Sequence, residues 1–158
     1  MWSPKRILVA TDFSPCAAAA AEVGLELARA LQVPLVLLHV YGVPGAPYEG
    51  FDTLVVEDYA RSLENAARIA LNNEAMTLRG KGVVVSTVLD RGTPWEQILE
   101  AAKNLEIGII VVGTHGRRGL PRAILGSVAE KLARLSSVPV LTVHRESSAG
   151  EQTAAPAA

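Results

Sequence analysis

Apolar positions along the chain gather into five short runs, "RILVA" at 6–10, "LVLLHV" at 35–40, "VVVSTVL" at 83–89, "IGIIVVG" at 107–113 and "PVLTVH" at 139–144. They are rich in Val, Ile and Leu and mostly do not alternate with polar residues, the pattern of parallel strands buried on both faces. Helical periodicity lies between them. Ser14-Pro15 reads as an N-cap followed by proline at the first helical position, opening a helix to about Leu31 whose inner face is Ala17, Ala21, Gly24, Ala28 and Leu31. A second helix is predicted over about 54–79, with Leu63, Ala67, Ala70 and Leu71 inward and "RGKG" ending it. Thr93-Pro94-Trp95-Glu96 and Ser127-Val128-Ala129-Glu130 both match a capping box, so a third helix starts at Thr93 and a fourth close to Ser127, with Ser127 as its cap. Strands alternating with helices predict an α/β fold, a doubly wound parallel sheet with helices on both faces. In such sheets ligands bind beyond the carboxyl ends of the strands, where the winding reverses.

Composition sharpens this picture in three ways. Hydrophobic residues make up 49% of the chain and aromatics 4%, so the core is aliphatic. A length of 158 residues predicts one domain, over 1–145, followed by a small, polar, unpatterned stretch at 146–158 expected as a disordered tail. Net charge of −1 gives no global attraction to nucleic acid or an anionic membrane, yet residues 114–134 carry five cations against one acid. Cys16 is the only cysteine, which fits a reducing compartment; no signal peptide or membrane span is legible, so a cytoplasmic protein is expected. Residues 42–53 hold glycines and prolines without periodicity and are expected to cover the site.

The candidate chemistry lies in 111–132, "VVGTHGRRGLPRAILGSVAEKL", with the spacing Gly113-x2-Gly116-x9-Gly126-Ser127. Gly113 ends a strand where backbone and ligand can meet, and Gly116 allows a turn. Gly126 precedes a helix whose first amides lack intrahelical partners and favour an anion. Arg117 and Arg118 add charge beside it, and His115 reads as a donor in the same loop, since no paired carboxylate or cysteine makes it a catalytic base. Neither a Walker lysine motif nor G-x-G-x-x-G after the first strand occurs, which argues against a P-loop enzyme and a dinucleotide dehydrogenase. His39 and His144 read as satisfied strand residues, and Trp95 as a packing anchor.

The segment resembles the G-x2-G-x9-G-[ST] nucleotide signature of the universal stress protein family, and "RILVATDFS", "LVLLHV", "GSVAEKL" and "VPVLTV" resemble its other landmarks in order, over about residues 5–145. That resemblance implies an ATP-binding α/β domain, five strands in the order 3-2-1-4-5, usually a homodimer. It places Ala10, Thr11 and Asp12 beside the adenosine and Val40 against adenine through its backbone. Gly113, Gly116, Gly126, Ser127 and Val128 are placed around the phosphates, with ATP accompanied by magnesium held through them. The function implied is a nucleotide-dependent stress-response switch; slow ATP hydrolysis or autophosphorylation, and a nucleotide-independent dimeric adaptor pairing through the strand at 139–144, are the alternative readings.

Overall fold

A computed structural model describes residues 3–42, 53–114 and 125–144. Nine elements alternate: β1 (Ile7–Ala10), α1 (Pro15–Leu31), β2 (Leu35–Tyr41), α2 (Thr53–Arg79), β3 (Val85–Arg91), α3 (Pro94–Asn104), β4 (Ile109–Gly113), α4 (Ser127–Leu135) and β5 (Val140–Val143). Every strand pair is parallel and the order is β3-β2-β1-β4-β5, the expected doubly wound sheet. Residues 146–158, expected as a tail, and the 43–52 part of the expected cover lie outside the described residues.

Successive strand side chains point to opposite faces, so one continuous apolar run feeds two cores. Ile7, Val9, Leu35, Leu37, Ile109 and Val111 pack with α1 and α2 on one face. Leu8, Ala10, Val36, Leu38, Ile110 and Val112 pack with α3 and α4 on the other. Helix α1 comes unusually close to the sheet, because a Cβ placed on Gly24 would stand only 2.4 Å from Val9 Cγ2. The helices thus change face between α2 and α3, and the reversal of winding falls between β1 and β4.

Several local expectations are corrected. Leu31 does not join the inner face of α1; it is 41% exposed, because Ala28 already completes that face and the helix ends within a residue. The apolar run at 83–89 enters the sheet only at Val85 and continues through Asp90 and Arg91, since its register is set by pairing with β2 from Leu35 to Tyr41. Val84, outside the ladder, is 76% exposed. Both edge strands are only partly buried, unlike the central three, because each has a strand neighbour on one side only. Neither capping box forms as expected: Thr93 occupies the N-cap of α3 without a side-chain bond, and the N-cap of α4 is Gly126, which makes Ser127 its first helical residue. Ser14 does cap α1, its Oγ accepting the Ala17 amide at 3.2 Å.

Candidate functional site

A cavity of about 210 Å³ opens at the carboxyl ends of β1 and β4, at the point where the winding reverses. Ala10, Thr11 and Asp12 leave β1 along one wall, Val112, Gly113 and Thr114 end β4 along another, and Leu38 and Val40 of β2 complete the floor. Pro94 and Ile98 of α3 face Gly126, Ser127, Val128 and Ala129 at the start of α4 across the opening. All eight sequence-predicted site residues that fall within the described chain, Ala10, Thr11, Asp12, Val40, Gly113, Gly126, Ser127 and Val128, meet in this cavity. His115, Gly116, Arg117 and Arg118 lie outside the described residues.

The α4 end is built to leave donors open. Gly126 donates its own amide to the Thr114 carbonyl at 2.7 Å, which ties the start of α4 to the end of β4. The first intrahelical bond is Glu130 to Gly126 at 2.9 Å, so the amides of Ser127, Val128 and Ala129 have no acceptor within the helix. An N-cap Ser, Thr, Asp or Asn would occupy one of them; glycine has no side chain with which to do so. Three donors at the positive end of a helix, beside a mainly aliphatic cavity, suit a ligand with an apolar body and an anionic group.

Gly113 lines the cavity and also meets a packing demand. A Cβ there would lie 2.9 Å from the Cys16 carbonyl carbon and 3.0 Å from its oxygen, so the missing side chain lets α1 approach the end of β4. Cys16 is correspondingly half-buried in the first turn of α1.

The turn after β1 is fixed by polar contacts on every side. Thr11, only 5% exposed, donates its amide to Leu38 O at 2.9 Å and its hydroxyl to Glu74 Oε2 of α2 at 2.9 Å. The Phe13 amide donates back to Thr11 Oγ1 at 3.1 Å, and the Ser14 amide to Asp12 Oδ1 at 3.0 Å. His39 Nδ1 lies 2.7 Å from the Thr11 carbonyl; because a carbonyl only accepts, that nitrogen carries the proton. His39 is buried and its ring rests against Phe13 at a centroid distance of 4.3 Å, as a satisfied core residue. At the opposite edge His144 Nδ1 contacts Thr114 Oγ1 at 3.1 Å. Trp95 packs on the α3–α4 side of the core with Lys131 Nζ 5.6 Å from its ring centroid. Glu74, Pro94 and Ile98 escaped the sequence reading as site residues because only the packing of α2 and α3 brings them to the ends of β1 and β2, and Leu38 because its place beside Ala10 depends on the strand register.

Burial raises the Glu74 pKa above its ordinary value of 4.5; the Thr11 hydrogen bond pulls the other way, and the nearby Asp12 charge raises it further. A raised carboxyl favours the neutral form in the fold, so its stabilising contribution is complete below pH 4.5 and is lost as pH rises through the folded value. Glu74→Gln, which carries no charge to desolvate, is therefore expected to melt higher than the parent at neutral pH and at the same temperature near pH 4. Thermal melts across that range check it; a constant difference at all pH values would contradict the assignment.

A doubly wound parallel sheet with a cavity at its switch point, walled on one side by a helix N-terminus without a side-chain cap, defines an α/β domain of the class whose sites lie beyond the carboxyl ends of the strands. The chain belongs to the universal stress protein family, whose model matches residues 4–144. Universal stress protein YxiE of Bacillus subtilis is 34% identical over 87% of this chain and 97% of its own length. Universal stress protein MJ0577 of Methanocaldococcus jannaschii is 30% identical over 91% of this chain and 97% of its own length. The solved structure of MJ0577 covers 94% of this chain and all of its own with a TM-score of 0.74 at 28% identity. UspA from Lactobacillus plantarum shares the fold at a TM-score of 0.78 and 23% identity, covering 88% of this chain and 97% of its own. Two more distant structures with the same fold are a universal stress protein in complex with cAMP (TM-score 0.61, 21% identity, covering 90% and 98%) and one from Archaeoglobus fulgidus in complex with dAMP (0.56, 20%, 90% and 99%). No helix among the described residues is long and apolar enough to cross a membrane.

Proposed function

We propose that this cavity binds ATP and that the bound nucleotide acts as an effector, making the protein a nucleotide-dependent stress-response switch in the cytoplasm. One observation carries the reading: Ser127, Val128 and Ala129 of α4, whose amides have no acceptor among the described residues, line a largely aliphatic cavity together with the ends of β1 and β4. The volume of about 210 Å³ lies somewhat below the range of about 300–1,000 Å³ usual for small-molecule sites, which suits a nucleoside held inside with its phosphates at the mouth. Val40 and Leu38 offer backbone and apolar surface to the base, Asp12 stands beside the ribose, and Ser127 and Val128 donate to phosphate oxygens. The Ser127 hydroxyl, not being the cap, is free of that duty and adds a donor.

The residues fit the group on their own chemistry, and the adenine nucleotides held by relatives of the same fold belong to the same ligand class. Magnesium would enter with the phosphates rather than in a protein cage: among the described residues no cluster of three His, Cys, Asp or Glu side chains could hold it. Asp12 is the one ionisable side chain in the described lining, and its Oδ1 already accepts the Ser14 amide. That arrangement supports binding over phosphoryl transfer, which needs a positioned nucleophile and stabilised phosphoryl oxygens. Ligand that contacts both the β1 turn and α4 would favour the conformation joining them, and a partner reading that surface would sense nucleotide.

The homodimer implied by the family belongs in this reading at β5, which ends the sheet with an unpaired edge and a Leu141 side chain 37% exposed. Calorimetric titration of the purified protein with ATP and with adenosine is expected to give saturable binding, tighter for ATP because α4 contributes only to phosphate, which adenosine lacks. Equal affinities would remove α4 from the site, and no binding of either would end the proposal.

A further inference from the structure

Thr11 lines the cavity, yet its hydroxyl points its chemistry elsewhere. The single proton goes to Glu74 Oε2 at 2.9 Å and a lone pair takes the Phe13 amide at 3.1 Å, so the group that a ligand might have used is committed to the far side of the sheet. That commitment has a structural consequence. Phe13 sits at φ 64, a left-handed backbone conformation uncommon for a bulky residue, and it persists only where neighbours hold it. The Thr11 oxygen holds its amide from one side, and the His39 ring, tilted against it, supports its side chain from the other. Asp12 lies between Thr11 and Phe13, and its Oδ1 takes the Ser14 amide, so two successive bonds of the i to i+2 type define where this acid stands.

We infer that Glu74 of α2 is a positioning residue for the nucleotide cavity: by accepting the Thr11 proton it orients the Thr11 oxygen toward the Phe13 amide and thereby sets the place of Asp12. The inference rests on the reading of the cavity as an ATP site and extends it to a helix that supplies none of the cavity's lining residues. What the device needs at position 74 is a hydrogen-bond acceptor at the right reach, not a charge. A glutamine oxygen can take the same proton, whereas a methionine of similar length leaves Thr11 with a buried hydroxyl and no strong acceptor there. The Thr11 hydroxyl is then free to turn toward another acceptor, the Phe13 bond is released, and the left-handed turn loses one of its supports.

The same link joins α2, on the face opposite α3 and α4, to the end of β1. A displacement of α2 is felt at Asp12, and nucleotide held at Asp12 is felt at α2, because coupling between two sites is reciprocal.

Titration of the full chain with ATP, by calorimetry at a temperature well below the melting point of each variant, tests this. Glu74→Met is expected to weaken ATP binding about tenfold, within the range of typical coupling between sites, and Glu74→Gln to restore affinity to within about twofold of the parent, well inside tenfold. A purely structural role for Glu74 would lower the melting temperature of the methionine variant and leave the affinity of the folded protein unchanged, which overturns the inference while the cavity keeps its nucleotide. Equal weakening by Gln and Met would also overturn it, because the acceptor would then not be the feature required. If Glu74→Met does not fold, Thr11→Val breaks the same link from the other end, and unchanged affinity in that variant overturns the inference. Absence of ATP binding in the parent itself would remove the reading on which all of this rests.

Discussion

Gly126→Asp is expected to raise the Kd for ATP at least about a hundredfold while leaving the melting temperature unchanged or slightly higher. The two effects separate because the same amides serve both purposes. Gly126 has φ −60 and ψ 151, extended backbone open to any residue, so replacing it introduces no backbone strain. Aspartate is among the preferred N-caps and its charge favours the positive end of α4, together worth about a few tenths to one kcal/mol of helix stability. Its carboxylate would occupy an amide at Val128 or Ala129, however, and would set a negative charge where the proposal places phosphate. Losing hydrogen bonds to a charged group costs about 1.5–3 kcal/mol each, and two such losses already exceed a hundredfold. Gly126→Ala, with no acceptor, should weaken binding far less. Calorimetry and thermal melts on the two variants decide the matter; wild-type affinity in the aspartate variant would show that phosphate does not meet the start of α4.

Gly24→Val is expected to be the most damaging single change to the fold, at about 3 kcal/mol, or about 6–12 °C in melting temperature for a chain of this size. Two terms oppose each other at this position. Replacing glycine by alanine in the middle of a helix gains up to about 1 kcal/mol in backbone entropy, and valine, restricted at χ1, recovers only part of it. Against that, the first added carbon falls 2.4 Å from Val9 Cγ2, with Leu35 Cδ1 and Val111 Cγ2 at 3.7 and 3.8 Å, and Val9 is fully buried in the central strand. A β-branched neighbour in a close-packed site has no vacant rotamer, so α1 must lift from β1 and the packing term prevails. The same displacement reaches Cys16, on which the close approach at Gly113 depends, so nucleotide affinity should fall as well. Chemical denaturation supplies the stability change; a loss below about 1 kcal/mol would mean that the helix–strand separation is softer than the packing implies.

Much of this architecture was legible because it follows from local chemistry. Short aliphatic runs that mostly do not alternate with polar residues, separated by helical patterns, fit a parallel sheet buried on both faces, and Ser14-Pro15 starts a helix by the demands of its own backbone. The convergence of β1, β4 and α4 was legible too, since alternating strands and helices fix where the carboxyl ends lie. What failed were inferences about side chains whose roles depend on neighbours. Ser127 matched a capping pattern as well as any serine could, yet the bond from Gly126 to Thr114 sets the helix start one residue earlier and gives the cap to glycine. The packing role of Gly113 was not legible either, since only the fold brings the Cys16 backbone against it.

By itself, then, the sequence determined the fold class, the sheet edge that carries the cavity and the residue types that meet there, because hydrophobic period and turn chemistry act over a few residues. Only the tertiary structure decided what each of those residues touches. The Thr11 hydroxyl meets Glu74 across 63 positions of chain, and no local pattern encodes a contact that exists solely because α2 packs against the end of the sheet.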